Sequence, residues 1–337
     1  MDEKAALRRA IELAANSPDT RPNPRVGCVI LDGDGCVVSE GWHEGAGGPH
    51  AEVVALRAAG QRSRGATAVV SLEPCDHHGR TGPCSAALIE ADVSRVVFAQ
   101  ADPNPAASGG ADRLRDAGVA VEGGLMADES AAVNPHWTFA MSSGRPFVTW
   151  KTAATLDGRV AAKDGSSRWI SGPESREEVH QLRAEADAVL IGTGTVLADD
   201  PRLSARPRGG SAKRQPLRAV MGQRSVPVAA RIRDTDGFLQ LRTHEPAEAL
   251  SELYALDVHH LLLEGGPTLA TAFLRADVVD RVIWYAAPAL LGSGPGAIAD
   301  LGIGSVDGAR RFELAAVARV GDDVRLDLLP LSPGARI

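Results

Sequence analysis

The chain has 337 residues, 44% of them hydrophobic and 23% charged, a composition typical of a folded globular protein of about two domains. Its net charge is −7, and residues 1–146 alone carry 13 basic and 19 acidic side chains, a net charge of −6. A protein that binds a long nucleic acid needs a basic surface to neutralise phosphates, so we expect no nucleic-acid partner. No apolar run reaches the ~18 residues of a membrane span, and four cysteines are too few for a disulfide framework. We therefore expect no membrane partner and a location in the reducing cytoplasm.

The first half of the chain alternates strand and helix patterns, which predicts a layered α/β domain. The N-terminal segment has amphipathic helical spacing, and two apolar runs around the turn residues 32–35 predict a hairpin. Cys28 and Cys36 fall inside these runs, so we expect both to be core residues. The other elements predicted in this half are helices over 51–60, 84–91, 110–117 and 127–142 and strands over 66–72, 94–99 and 119–123.

The polar Gly/Pro segment 142–147 predicts a boundary between two domains, residues 1–145 and residues 146–337. The apolar run near the end of the second half fits either a core strand or a subunit interface, and we expect a homodimer or a higher homo-oligomer. The elements predicted in the second half are a strand from Phe147, a helix over 175–186, a strand and glycine turn over 186–196, a loop over 208–215, a strand, turn and helix over 259–276, and a final strand over 281–291.

A group of metal-ligand residues is the strongest functional signal. PHAE at 49–52 and EPCDHHGRTGPC at 73–84 supply one imidazole and two thiols, from His50, Cys75 and Cys84. A catalytic zinc ion has three protein ligands and an open fourth position, and it lowers the pKa of a bound water molecule to about 7. Glu52 is close enough to His50 to move protons between that water and a substrate nitrogen. The pattern predicts a zinc site of the nucleobase-deaminase kind, although eight residues separate the cysteines where the short form has two.

Two alternatives remain for this group: a closed structural zinc site with His77 or His78 as fourth ligand, and two buried free cysteines. Both ligand-bearing segments precede predicted helices, whose first N–H groups favour a thiolate over a thiol. We favour the open site because a structural site has no use for Glu52. His43 either binds substrate or ends a strand.

Two glycine pairs follow predicted strands in the second half, Gly192 with Gly194 and Gly265 with Gly266. Backbone N–H groups at such turns can approach a phosphate, but neither pair completes a GxGxxG fingerprint, and the sequence has no P-loop. From the residues alone, a nucleotide site and an ordinary turn both remain open.

Four motifs in the first half resemble those of one family. They are Asn23-Pro24-x-Val-Gly, Gly41-Trp42-His43, Pro49-His50-Ala51-Glu52, and Glu73-Pro74-Cys75 followed by HxGxTxPC ending at Cys84. In their order and spacing they resemble the bifunctional riboflavin-biosynthesis deaminase/reductases, whose cysteines show the same longer gap. The resemblance extends over nearly the whole chain. It implies an α/β fold class, with an N-terminal cytidine-deaminase-like three-layer domain and a C-terminal dihydrofolate-reductase-like α/β domain.

The resemblance also implies roles in the first domain. Glu52 is expected to be catalytic, and Asn23, His43 and Arg80 are expected to hold the phosphorylated substrate. Many members have lysine in place of Arg80 and proline in place of Gly82.

In the second half the resemblance rests on KTAATLDGR (151–159), GSSRWIS (165–171), GTGTVLADDPRLSAR (192–206) and EGGPTLA (264–270), and it implies an NADPH-dependent reductase. We expect Lys151, one of only four lysines, to hydrogen-bond the sugar being reduced, and Asp199 to help place protons. The two arginines among the expected substrate contacts, Arg183 and Arg206, would bind the phosphate of the substrate through charge-assisted hydrogen bonds. The expected NADPH contacts are Ala154, Trp169, Thr195, Asp199, Gly266, Pro267, Thr268, Leu269, Ala270, Thr271 and Ala272, and the expected substrate contacts are Ser167, Arg183, Leu203, Arg206 and Glu264.

One segment departs from the family pattern. Met221-Gly222 stands where many members have an aliphatic residue followed by Asp, near the cofactor. Arg224 is a candidate to compensate at the cofactor's 2′-phosphate.

The resemblance implies two successive reactions: zinc-dependent hydrolytic deamination of 2,5-diamino-6-ribosylamino-4(3H)-pyrimidinone 5′-phosphate, then NADPH-dependent reduction of the ribosyl group to a ribityl chain. A nucleic-acid base deaminase fused to an unrelated domain would use the same zinc chemistry. It would also need a basic groove and stacking aromatic residues, which the acidic first half and an aromatic content of 4% disfavour. A zinc-stabilised binding module would show metal-dependent stability without ammonia release.

Overall fold

The computed structural model describes residues 1–77, 82–234 and 237–331. The chain divides into two compact units, Met1–Ser143 and Gly144–Ile337. Among the described residues, the helices are all too short or too polar to span a bilayer.

The first unit contains a five-stranded sheet in the order β2-β1-β3-β4-β5, in which β1 runs antiparallel to β2 and β3, and β3, β4 and β5 are parallel. Its elements are α1 (Glu3–Ala15), β1 (Gly27–Leu31), β2 (Val37–Trp42), α2 (Ala51–Ala59), β3 (Thr67–Leu72), α3 (Cys84–Glu90), β4 (Arg95–Gln100), α4 (Gly110–Asp116), β5 (Ala120–Gly123), α5 (Ala127–Ala131) and α6 (Pro135–Ser143).

Alternating residues of the buried strands face two different helical layers. On β1, Cys28 and Ile30 belong to a core cluster with residues of α2, α3 and α4, whereas Val29 and Leu31 belong to a cluster with residues of α1. The sheet is therefore covered on both faces, which confirms the predicted three-layer α/β domain.

Two expectations for this unit are wrong. Cys36 is exposed and precedes β2 in the turn of the hairpin, so only Cys28 is a core residue. The helix expected over 127–142 is two helices, α5 and α6, separated at Asn134. The Asn134 side chain accepts from the N–H of Arg25 and donates to its carbonyl oxygen, both at 2.8 Å, and Pro135 begins α6 because proline suits the first turn of a helix.

The second unit contains an eight-stranded sheet in the order β12-β13-β11-β6-β10-β7-β8-β9. The six strands from β11 to β9 are parallel, and β13 runs antiparallel to β11 and β12. Its elements are β6 (Phe147–Thr155), α7 (Pro173–Glu185), β7 (Ala188–Gly192), α8 (Thr193–Asp199), β8 (Leu217–Met221), β9 (Phe238–Leu241), α9 (Pro246–Tyr254), β10 (His260–Leu263), α10 (Pro267–Arg275), β11 (Arg281–Ala287), β12 (Phe312–Val320) and β13 (Asp323–Pro330).

Helices cover both faces of the sheet over its parallel part. Leu250 of α9 and Phe273 of α10 pack on one face, and Val179 and Leu182 of α7 pack on the other. The carboxyl ends of β6, β10, β7 and β8 lie at one edge, where ligands of parallel α/β sheets usually bind.

The second unit also corrects two expectations. Gly192 and Gly194 do not form a simple turn, because Gly192 is the N-cap of α8 and Gly194 lies inside that helix. The strand β11 is not the last one, since β12 and β13 follow it as an antiparallel hairpin.

Candidate active sites

Three elements of the first unit bring the predicted metal ligands together. His50 is the N-cap of α2, Cys84 is the first residue of α3, and Cys75 lies in the loop that follows β3. The Cys75 carbonyl accepts from the N–H of Ser85 at 3.2 Å, which ties this loop to α3. The sequence prediction that both ligand-bearing segments adjoin helix beginnings is confirmed.

The donor set and spacing fit a zinc ion. The ligand atoms of His50, Cys75 and Cys84 all lie within 4.8 Å of one another. His50 Nδ1 is 3.2 Å from Cys84 Sγ and 3.6 Å from Cys75 Sγ. Ligand atoms of a tetrahedral zinc ion, with bonds of about 2.0–2.3 Å, stand about 3.5–3.8 Å apart. Of the two histidines considered as a fourth ligand, His77 does not belong to the group of ligand atoms, and His78 lies outside the described residues. The described residues therefore supply three ligands, His50, Cys75 and Cys84.

Hydrogen bonds and burial set the charges of this site. The Cys84 thiol, the His50 ring and the Cys84 N–H all hydrogen-bond Cys75, and these bonds lower the pKa of Cys75 to about 4 against the opposing effect of burial. Glu52, in the first turn of α2, is 3% exposed. Burial, with the negative charge of Cys75, raises the pKa of Glu52 to about 6. The cluster therefore has a buried carboxyl group beside its thiols.

The predicted substrate residues Asn23 and His43 adjoin this cluster. The His43 ring stands edge-on to the His50 ring, with 5.3 Å between the centroids. His43 Nδ1 is 3.0 Å from the carbonyl oxygen of Pro49, and Asn23 Nδ2 is 3.3 Å from His43 Nε2. The carbonyl contact requires a proton on Nδ1, so Nε2 of the neutral ring accepts from Asn23. Burial lowers the pKa of His43, which favours that neutral ring. Arg80, the third predicted substrate residue, lies outside the described residues.

Sequence analysis missed one titratable group near the cluster. Asp102 follows β4, next to the loop in which Cys75 follows the neighbouring strand β3. Burial, and the charges of Glu73, Cys75 and Glu52, raise the pKa of Asp102 to about 7. Its position after a buried strand, in the turn sequence DPNP, was the available signal.

Gly110 supports the Cys75 loop by close packing, and this yields a prediction. A Cβ on Gly110 would lie 1.8 Å from the Pro74 carbonyl oxygen, so Gly110→Ala must displace the backbone beside Cys75. We expect the free energy of unfolding to fall by about 1–3 kcal/mol, as for other overpacked sites, and zinc affinity to fall with it. Urea denaturation and chelator competition on the full chain measure the two effects.

Gly82→Ala is the matched control, because Gly82 lies two residues before the predicted metal ligand Cys84. No described atom lies within 4 Å of a Cβ placed there, and we expect a change within about 0.5 kcal/mol. Equal effects of the two substitutions would contradict a specific packing role for Gly110.

The second unit has a large cavity at the carboxyl edge of its sheet, with a volume of about 1260 Å³. Ala154, Ala270 and Thr271, which were also predicted as cofactor contacts, are buried in β6 and α10 and do not line it. The predicted residues that line the cavity are Lys151, Ser167, Trp169, Arg183, Thr195, Asp199, Leu203, Arg206, Glu264, Gly266, Pro267, Thr268, Leu269 and Ala272.

A buried ion pair lies beside Lys151 in this cavity. Arg183 donates from Nε and Nη2 to the two carboxylate oxygens of Glu264, at 2.6 and 2.9 Å. Burial opposes the charged form of Glu264, but Arg183 and Lys151 keep the pKa of its carboxyl group below the ordinary value. Burial also lowers the pKa of Lys151, and the charge of Glu264 offsets part of that effect.

The ion pair engages one of the two arginines that are expected to grip a phosphate. Arg183 uses two nitrogens on Glu264, and its Nη1 is 3.4 Å from the carbonyl oxygen of Ser204. Arg206 is the other predicted arginine, and among the described residues its guanidinium has no hydrogen-bond partner. Arg206 is therefore the better placed of the two to bind a phosphate.

The cavity also fits a dinucleotide cofactor. Its volume exceeds the ~300–1,000 Å³ of typical small-ligand sites, so it can hold a dinucleotide and a second small molecule. Gly266, the N-cap of α10, makes no side-chain cap, and the first turn of that helix lines the cavity, which suits an anionic group. Trp169 is 68% exposed, with the Arg176 guanidinium 4.6 Å from its ring centroid.

Comparisons with known proteins agree with both sites. Residues 1–100 match the cytidine and deoxycytidylate deaminase zinc-binding region, and residues 146–326 match the RibD C-terminal domain. Riboflavin biosynthesis protein RibD of Mycobacterium tuberculosis (strain CDC 1551 / Oshkosh) is 51% identical over 314 residues, with 92% of each chain covered. Riboflavin biosynthesis protein RibD of Escherichia coli K12 is 39% identical, with 98% of this chain and 100% of that protein covered.

Solved structures show the same architecture. Acinetobacter baumannii RibD (form 1) gives a TM-score of 0.87 at 39% identity, with 98% of this chain and 99% of that chain covered. A Thermotoga maritima diaminohydroxyphosphoribosylaminopyrimidine deaminase/5-amino-6-(5-phosphoribosylamino)uracil reductase gives a TM-score of 0.79 at 31% identity, with the same coverage. Since both halves match in this order over nearly the whole length, the chain belongs to the RibD family of bifunctional riboflavin-biosynthesis enzymes, which join a zinc-dependent deaminase domain to an NADPH-dependent reductase domain.

Proposed function

We propose that residues 1–145 deaminate a diaminopyrimidinone ribosyl 5′-phosphate and that residues 146–337 reduce the ribosyl group of the product to a ribityl chain. The observation that carries this proposal is the presence of two chemically different sites on one chain. The first is an imidazole and two thiols beside a buried carboxyl group. The second is a large cavity with a lysine, an ion pair and arginine side chains that have no partner among the described residues.

In the first site, His50, Cys75 and Cys84 would hold zinc, which when bound supplies a water molecule that is acidic enough to react at neutral pH. Glu52 accepts the proton of the attacking water on its carboxylate and returns it to the departing amino nitrogen. His43, fixed by Pro49 and Asn23, orients the sugar of the substrate. Arg80 is proposed as a cation for the phosphate.

In the second site, NADPH supplies a hydride when bound. The Lys151 ammonium donates a hydrogen bond to the ribosyl oxygen, and Glu264 keeps Lys151 and Arg183 in place. Asp199, at the end of α8, assists in placing protons, and Arg206 binds the phosphate. Ser167 and Leu203 complete the substrate side. The proposed cofactor side is lined by Trp169, Thr195, Gly266, Pro267, Thr268, Leu269 and Ala272. We propose that Ala154, Ala270 and Thr271 support it from buried positions.

A two-signal assay tests the proposal. The full chain receives zinc, the aminopyrimidine ribosyl phosphate and NADPH, and ammonia and NADPH are followed separately. We expect both signals, and we expect chelator treatment to remove ammonia release while NADPH oxidation continues with the deaminated compound as substrate. Ammonia release that survives complete metal removal would contradict the zinc-dependent step, and absence of NADPH oxidation with the deaminated compound would contradict the reductase.

We also propose that the protein is a homodimer or a higher homo-oligomer and that it works in the cytoplasm. Apolar side chains on β12 support self-association, since Leu314 is 54% exposed and Val317 58%. The thiol ligands Cys75 and Cys84 support a reducing compartment, because both must stay unoxidised to bind metal. Sedimentation analysis measures the oligomeric state, and a monomer at micromolar concentration would contradict the proposed self-association.

A further inference from the structure

The cavity of the second unit extends across several strands, and its two ends differ in chemistry. Lys151 lies on β6, Glu264 follows β10, and Arg224 comes three residues after the end of β8. The order β6-β10-β7-β8 separates the first and last of these strands by three steps of about 4.8 Å, about 14 Å in all. Arg224 therefore lines the end of the cavity opposite the proposed reacting centre.

The proposed cofactor, like the cavity, has two chemically different ends. In NADPH the nicotinamide ring and the 2′-phosphate of the adenosine are at opposite ends, with the pyrophosphate between them. The start of α10, which follows the inner strand β10, supplies backbone N–H groups in the middle of the cavity. If the nicotinamide lies at Lys151, the adenosine end falls at the carboxyl end of β8.

The backbone around Arg224 is held firmly while its side chain points to the cavity. Gln240 on β9 donates to the carbonyl oxygens of Gly222, at 3.1 Å, and Arg224, at 2.7 Å. Arg242 donates to the carbonyl oxygen of Gln223 at 3.1 Å. The Arg224 guanidinium lies over the first turn of α8, with Nη2 3.6 Å from the position of a Cβ on Gly194. The charge is thus held at the cavity wall by a fixed loop.

Three other arginines of the cavity are already engaged, and Arg206, whose guanidinium is not engaged among the described residues, is the proposed ligand of the substrate phosphate. Arg183 pairs with Glu264, Arg202 with Asp234, and Arg168 donates to the carbonyl oxygen of Asp199. In the described part of the chain, the Arg224 guanidinium has no hydrogen-bond or ion-pair partner. It is therefore available for an anion of a ligand.

Gly222 keeps an acidic side chain away from this end. Its φ is +138°, a conformation that favours glycine, and a Cβ there would lie 2.8 Å from Thr193 Oγ1. In dinucleotide sites, an arginine near the ribose accommodates the 2′-phosphate of NADPH. At the end of β8, Arg224 supplies such a cation, and Gly222 places no carboxylate beside it.

We propose that Arg224 binds the 2′-phosphate of NADPH and determines the preference for NADPH over NADH. This inference rests on the proposed reductase function of residues 146–337. Arg224 is a specificity residue, distant from the reacting atoms, and it contributes through charge-assisted hydrogen bonds to the phosphate oxygens.

Binding of cofactor fragments to the full chain tests this role without any turnover. Isothermal titration calorimetry gives the Kd of adenosine 2′,5′-bisphosphate and of 5′-AMP, which differ by the 2′-phosphate. We expect the wild type to prefer the bisphosphate by about tenfold to a hundredfold, the size of one or two charged hydrogen bonds. Arg224→Ala should lose that preference with the Kd of 5′-AMP unchanged, and Arg224→Lys should keep part of it.

Two further variants sharpen the result. Arg310→Ala, which removes an exposed arginine paired with Asp277, should keep the wild-type preference. Loss of the preference in Arg206→Ala and its retention in Arg224→Ala would overturn the proposal, as would a wild type that binds both fragments equally.

Titration of the full chain with NADP⁺ and with NAD⁺ separates failure of the proposed reductase function from failure of the role of Arg224. If neither binds the wild type, the reductase function itself fails, whereas preferential binding of NADP⁺ that survives in Arg224→Ala contradicts only the role of Arg224.

Discussion

Glu52→Gln will reduce ammonia release from the aminopyrimidine substrate to about 1% of the wild-type rate or less, a loss of about two orders of magnitude, as expected when a positioned acid–base group is removed. The amide is nearly the same size as the carboxyl group, so it fits the buried site at the start of α2. It cannot take up a proton from water and return it to the leaving amine. Zinc content, measured on the same preparation, should stay at the wild-type level, because the ligand group consists of His50, Cys75 and Cys84.

Two controls accompany this variant. Glu90→Gln changes an exposed glutamate at the end of α3, the helix that begins with Cys84, and should leave ammonia release unchanged. NADPH oxidation with the deaminated compound is the internal control, since that site lies in the second unit. A Glu52→Gln protein that binds zinc and still releases ammonia well above 1% of the wild-type rate would show that another group carries the proton.

The metal site was predictable because its residues lie in short motifs at the beginnings of helices. His50 and Cys84 adjoin α2 and α3, so a local pattern placed two of the three ligands. Asp102 was missed because its proximity to the site arises from the pairing of β3 with β4, which no local motif records. The apolar runs of buried strands likewise predicted β1 and β3, whereas the break at Asn134 depends on contacts with Arg25, 109 residues away.

In the second half, the sequence indicated the cavity residues but not their pairing. Arg183 and Glu264 are 81 residues apart, and only the fold shows that they bind each other, with two nitrogens of Arg183 on the Glu264 carboxylate. The hairpin of β12 and β13 was also missed. Most of β12 is exposed, so it lacks the alternation of buried and exposed positions that identifies a strand in sequence. Long-range pairs and exposed strands are the features that local patterns leave undetermined.

Lys151→Gln will reduce the rate of NADPH oxidation with the deaminated substrate by about a hundredfold or more, the loss typical of a missing hydrogen-bond donor to developing charge. Lys163→Gln is the matched control, because Lys163 is exposed and does not line the cavity. The Lys163→Gln protein should oxidise NADPH at the wild-type rate. Unchanged activity in Lys151→Gln would contradict the assigned contact with the sugar.

The pH dependence of the same step provides a second, independent test. The protonated ammonium of Lys151 is the donor, and burial lowers the pKa of Lys151 below the ~10.4 of an exposed lysine. The reduction rate should therefore fall as the pH rises through that lowered pKa. The negative charge of Glu264 raises the pKa of Lys151, so in Glu264→Gln the alkaline fall should begin at lower pH than in the wild type. Profiles of kcat against pH for the wild type and for Glu264→Gln give the pH at which the rate falls in each protein. If that pH is unchanged or higher in Glu264→Gln, the titrating donor is a group other than Lys151.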